Sequence, residues 1–180
     1  MHRHLKHLPL IAAVATASSD SFAIPKSGEG LPSASVVDAN GTSFDTASVK
    51  GRPLLIVYED KDSGKDNQAL KDELAAFARE GDYRDRIALV AVADVSSFNF
   101  WPARGFAKDA IRRESARAGT TVYCDWDGVF RERLTLTKGK SNVVLVGKDG
   151  KVLYAAHGAM GENARARFFS LLRGELGATK

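Results

Sequence analysis

The chain has 180 residues, 44% hydrophobic and 27% charged, with a formal net charge of +4. That length holds one domain with a full core, and the composition argues against a disordered chain. A single Cys excludes an internal disulfide. The modest charge, with no aromatics interleaved among the basic residues, argues against nucleic acid as a partner.

The N-terminus reads differently from the rest. Met1 to His7 carries Arg3 and Lys6, Leu8 to Ala17 is apolar and small, and Ser18 to Ala23 is polar. This is the order of a Sec-type secretory signal peptide, with Ser21-Phe22-Ala23 placing cleavage before Ile24 and Ala15-Thr16-Ala17 as the second choice. A periplasmic or secreted protein is expected. Without residues 1–23 the charge is +3, and His157 and Cys124 are the only His and Cys left. No later apolar run has the length to span a bilayer, so a protein that does not cross the membrane is expected.

Residues 24–34 read as an extended lead-in, with Pro and Gly throughout. Ser35–Asp38 and Thr42–Phe44 flank Asn40-Gly41, which predicts a hairpin closed by a type I′ turn. Leu54–Tyr58 is a continuously apolar run, the pattern of a strand covered on both faces. From Lys65 to Arg79, helical spacing puts Leu70, Leu74, Phe77 and Ala78 on one stripe. Ile87–Ala93 is a second buried strand. Pro102–Ala118 is a predicted helix with Phe106, Ala110 and Ile111 facing inward. Thr121–Cys124 is a short strand, and Val129 to about Leu136 a short helix. Val143–Val146 and Lys151–Ala156 form a hairpin around Gly147-Lys148-Asp149-Gly150. The last helix runs from about Glu162 to Leu176, with Ala164, Phe168, Leu171, Leu172 and Leu176 on one face. One domain over residues 35–176 follows, with a tail at 177–180.

This order resembles the thioredoxin-fold superfamily in its larger redoxin and peroxiredoxin form. Asp38-Ala39-Asn40-Gly41 followed by Val49-Lys50-Gly51-Arg52-Pro53-Leu54-Leu55-Ile56 is similar to the redoxin opening. Val122-Tyr123-Cys124-Asp125-Trp126-Asp127-Gly128 resembles the V-x-x-D-x-D-G segment, and Ser141–Val146 with Lys148-Asp149-Gly150-Lys151-Val152 resembles the closing hairpin. The turn Tyr58–Ser63 and Ser141–Val144 look most like the exported YtfJ-like branch. The resemblance covers about residues 30–175. It implies an α/β fold, a thioredoxin-like three-layer α/β/α domain with an N-terminal β-hairpin and a mixed central sheet.

The departures bear on function. Redox members open the helix after the first central strand with C-x-x-C, where the helix N-terminus lowers a thiol pKa. Here those positions fall on Ser63 and Asp66, and the usual cis-proline corresponds to Ser141. Thiol–disulfide exchange at that place is chemically excluded. Thr121–Cys124 spells the peroxiredoxin T-x-x-C, but at the third strand and without its Pro.

Several residues remain as candidates. Cys124 and His157 are the possible catalytic pair, against readings as a buried hydrophobe and a hydrogen-bonded edge histidine. Glu59, Asp60, Asp62 and Asp94 sit at neighbouring strand ends, where carboxylates could hold Mg²⁺ or Ca²⁺, and Asp60-Lys61-Asp62 resembles the D-x-D of haloacid-dehalogenase-type phosphatases. The alternative is a solvated acidic turn. Phe98 and Trp101 are read either as a partner surface or as a cap on the core. With Asp60, Asp62, Ser63, Asp66 and Ser141 they make up the ligand or partner candidates. The expectation is a redox-inactive binding or accessory module of the cell envelope, without a cofactor, monomeric, meeting an envelope protein or small ligand. The alternative is an enzyme, either a metal-dependent hydrolase at the strand ends or a single-Cys thiol enzyme.

Overall fold

The structure is a computed structural model and describes residues 24–79 and 84–177. Its strands are β1 (Ser35–Asp38), β2 (Ser43–Asp45), β3 (Leu54–Glu59), β4 (Ala88–Asp94), β5 (Val122–Asp125), β6 (Asn142–Val146) and β7 (Val152–His157). The helices are α1 (Gln68–Arg79), α2 (Ala103–Ala118), α3 (Val129–Arg133) and α4 (Glu162–Leu176). All seven strands join one sheet in the order β2-β1-β5-β4-β3-β6-β7. β3, β4 and β5 run parallel, whereas β6 and β1 are antiparallel to their neighbours β3 and β5. The sheet is therefore mixed, as expected, and all three parallel strands end at one edge.

Alternation along the strands builds two apolar faces. Leu55 and Val57 of β3, with Val143 and Leu145 of β6, pack against Leu70 and Phe77 of α1 and Phe168, Phe169, Leu172 and Leu176 of α4. Cys124 extends that face towards α2, which meets it through Ala107 and Ile111. On the other face Leu54, Ile56, Tyr58, Val90, Val92 and Val144 meet Phe130 of α3 and Leu134 and Leu136 beyond it. Burying one such aromatic or aliphatic side chain contributes about 2 kcal/mol.

Two expectations are corrected. The hairpin turn is not type I′, because only Gly41 has positive φ. Gly41 N–H donates to the Asp38 carbonyl, and the Asp38 side chain accepts from Asn40 and Thr42 N–H. Those bonds draw Asn40 into an ordinary turn and leave the left-handed residue to Gly41. The second correction is the facing of α2. Phe106 and Ala110 point to solvent, and Ala107 and Ile111 face the sheet. A 100° turn per residue separates Phe106 from Ala107, and a small Ala lets the helix lie close to β5.

The lead-in docks on the far side of the sheet. Gly28 N–H donates to Val152 O, Val152 N–H to Glu29 O, and Leu31 N–H to Gly150 O. Gly30 forms an isolated antiparallel bridge with Lys151, just before β7.

Candidate functional site at the carboxyl end of the sheet

The loops after β3, β4 and β5, the start of β6 and the end of β7 all meet at one edge. In parallel α/β sheets this is the edge that receives ligands. Two polar networks occupy it, one on each face of the sheet.

On the α1 and α4 face the network is built on Asn67 and Ser141, both fully buried. Asn67 Nδ2 donates to Ser141 Oγ at 2.8 Å and to Gly158 O at 2.9 Å, and Met160 N–H donates to Asn67 Oδ1 at 2.8 Å. The Ser141 hydroxyl in turn donates to Glu59 Oε1 at 2.8 Å. Lys71 Nζ completes the set, 2.7 Å from Glu59 Oε2 and also donating to Gly64 O. The end of β3, the start of α1, the head of β6 and the exit of β7 are thereby joined through side chains.

On the other face Tyr58 OH donates to Asp125 Oδ2 at 3.0 Å. Asp125 also accepts from the amides of Phe130 and Arg131, so it fixes the start of α3. Arg131 Nη1 lies 2.9 Å from Asp94 Oδ2, and the Ser96 amide and hydroxyl donate to Asp94 Oδ1. Burial works against the charge on Asp94, but the Ser96 donors, the Tyr58 hydroxyl and Arg131 outweigh it and hold its carboxyl below the ordinary range. Asp125 goes the other way. Burial, with the Asp94 charge beside it, raises its pKa despite the donors around it. Burial and the two carboxylates also raise the Tyr58 pKa.

Ser63 is buried beside Asp60, whose Oδ1 accepts from the Ser63 hydroxyl at 2.7 Å, the Ser63 amide at 2.8 Å and the Asp62 amide at 3.1 Å. Asp60-Lys61-Asp62-Ser63 is thus a self-bonded turn. Asp62 and Asp66 are exposed, and α1 begins later than expected, at Gln68. The cation set does not assemble. Glu59 pairs in register with Ala93, so it and Asp94 project from opposite faces, and each already holds a cation of the protein. Among the described residues no three His, Cys, Asp or Glu form a metal-holding group.

Cys124 and His157 do not meet either. They lie on β5 and β7, four strand spacings or roughly 19 Å apart. Cys124 is buried against Val95 and Trp126, and burial pushes its thiol up to about 11. Phe98 and Trp101 lie on the surface and do not cap the core; Trp126 fills that place, with the Arg104 guanidinium 4.7 Å above its ring.

Sequence reasoning missed Asn67, Lys71, Tyr58, Asp125 and Arg131. The available signal was position. Tyr58, Asp94 and Asp125 each close an apolar strand, where a polar side chain at a buried edge needs a partner.

No protein-family model matches the chain, and no curated protein matches it. Solved structures do. A candidate thiol:disulfide interchange protein DsbE from Chlorobium tepidum has TM-score 0.60 and 17% identity, covering 82% of this chain and 99% of that one. The exposed lipoprotein thioredoxin Etrx1 of Streptococcus pneumoniae strain TIGR4 has TM-score 0.57 and 15% identity, covering 79% and 99%. The hypothetical protein SMc02350 of Sinorhizobium meliloti 1021 has TM-score 0.61 and 18% identity, covering 86% of each. At these identities the likeness is one of architecture. The chain has a thioredoxin-like α/β fold.

Proposed function

We propose that this protein is a binding or accessory module of the cell envelope that uses a thioredoxin-like scaffold without thiol chemistry. The observation that carries this reading is the polar lock at the carboxyl edge. At the positions matched to the redox dithiol the chain has Ser63 and Asp66, and Ser141 in the adjoining loop has both its donor and its acceptor roles satisfied by Glu59 and Asn67. Thiol exchange needs an accessible thiolate, and the one thiol, Cys124, is buried with a raised pKa. Among the described residues no buried side-chain polar atom lacks a partner.

Export is part of the proposal and rests on the apolar run Leu8–Ala17, which lies outside the described residues. The module acts as a monomer on this reading. Reduction of insulin by dithiothreitol, followed by turbidity with wild type and Cys124→Ser, tests the function. Equal, background rates are expected. Turnover in the wild type that disappears in Cys124→Ser overturns the reading.

A further inference from the structure

Four large aromatic side chains stand in solvent within residues 98–106. Trp101 is 91% exposed, Phe106 72%, Phe100 61% and Phe98 38%. Buried apolar residues are the norm for side chains this large, and a group of exposed ones marks a surface that meets something. The loop carrying them is held in place. Phe98 N–H donates to Val95 O, Arg104 N–H to Phe100 O, and Arg104 Nη1 to Asn99 Oδ1 at 3.0 Å. Ser96 is tied to Asp94 at the loop's other end. Presenting the aromatics therefore costs little further ordering on contact.

The helix that follows supplies charge. Within Ala103–Ala118 there are five basic and two acidic residues, and none is buried. Both acids are already taken, Asp109 by Arg112 and Glu114 by Arg117. Among the described residues Arg104, Lys108 and Arg113 have no carboxylate within ion-pair distance. Phe106 and Arg113 are seven residues apart, two turns along one stripe of the helix and about 10 Å along its axis. An apolar anchor and an uncompensated cation thus face the same way.

We propose that loop 96–102, Phe106 and the cations of α2 dock this protein onto the surface of an anionic lipid bilayer. Trp and Phe favour the bilayer interface, and Lys and Arg beside them meet the negative headgroups. No described helix is long and apolar enough to cross a membrane, so the contact is with the surface. A protein partner would need a groove shaped to a projecting Trp101. A bilayer deforms around it, and on α2, where three cations but no acid are left without an ion-pair partner, an anionic one is favoured. The proposal rests on the reading that the chain acts by binding. It fails separately from that reading, because insulin reduction and vesicle binding are independent measurements.

The test uses the full chain with phosphatidylcholine vesicles, with and without phosphatidylglycerol, in sedimentation and in tryptophan quenching by brominated acyl chains. Wild type is expected to sediment with the anionic vesicles about tenfold more strongly than with neutral ones, less so as salt rises. Its fluorescence should be quenched. Trp101→Phe should still sediment but lose the quenching, since Trp126 is buried. Phe100→Ser with Phe106→Ser should weaken binding about tenfold while leaving the denaturation midpoint unchanged, both residues being exposed. Any of three vesicle results overturns the proposal: no quenching in the wild type, equal binding to neutral vesicles, or sedimentation unaffected by the double substitution. The last would place the contact in the apolar residues 8–17. A doubled mass without vesicles that reverts in the double variant also overturns it, in favour of a second copy of the chain.

Discussion

Cys124 illustrates how much a residue's surroundings decide. Its place in Thr121–Cys124 looks like a nucleophile motif, but its side chain faces α2 between Val95 and Trp126. Burial pushes its thiol up to about 11, with Asp38 adding to the effect and Lys108 and Arg104 opposing it, so it stays protonated at neutral and mildly alkaline pH. Iodoacetamide at mildly alkaline pH should modify the native protein at a small fraction of its rate in guanidinium, read by intact-mass spectrometry. Comparable rates in the two states would show the thiol to be accessible. That Cys124 is a buried hydrophobe was legible in the sequence from its strand position. The role of Asn67 was not. An Asn between a turn and a helix has many uses, and only the fold brings it to Ser141, Gly158 and Met160, far away in the chain.

Asn67 also acts between elements, because it joins the head of α1 to β6 and to the exit of β7. Asn67→Ala removes its three hydrogen bonds and leaves the Met160 amide and the Ser141 hydroxyl short of partners in a buried place. A loss of about 3 kcal/mol is expected, measured as a lower urea midpoint at unchanged slope. Asn67→Asp should restore only part, since its carboxylate accepts from Met160 N–H but cannot donate to Ser141 Oγ or Gly158 O. At this scale the sequence was informative where one side of an element is clearly apolar. Leu70 and Phe77 of α1 and Phe168, Leu172 and Leu176 of α4 are buried as their spacing predicts. It misled at α2, where Phe106 drew the apolar stripe to the wrong flank. The helix buries no residue and touches β5 through Ala107 and Ile111, so its largest side chain carries no information about facing.

For the molecule as a whole, Asp94 and Asp125 couple stability to pH in opposite senses. The folded pKa of Asp94 lies below the unfolded value of 3.8, so its contribution is full above that pH and is lost as pH falls through the folded value. The folded pKa of Asp125 lies above 3.8, so its contribution is full below that pH and is lost as pH rises through the folded value. Asp94→Asn leaves the largely buried Arg131 with only its 3.5 Å contact to exposed Glu132, and a loss of about 3 kcal/mol is expected at neutral pH. In thermal melts across the acid range, Asp94→Asn should flatten the wild-type loss below about pH 3.8, the unfolded value. Asp125→Asn should flatten the decline that sets in above that pH. Parallel pH profiles for all three proteins would show that neither carboxylate titrates on unfolding.

The three-layer fold was legible because strand, helix and turn signals recur in a consistent order. The pairing of Tyr58 with Asp125 was not, since it depends on the register of β3, β4 and β5 across the sheet. The docking of the lead-in on β7 has a consequence for how copies of this protein coexist at high concentration. A sheet with a free outer strand offers an open ladder of amides and carbonyls to any neighbour. Here one outer strand, β2, is only three residues long. The other, β7, has its first residue, Val152, taken by Gly28 and Glu29, and Leu31 bonds Gly150 in the turn before it. The short segment that looks like a mere leader to the domain thus covers the first rung of that outer strand, where a strand of another molecule would otherwise begin to pair.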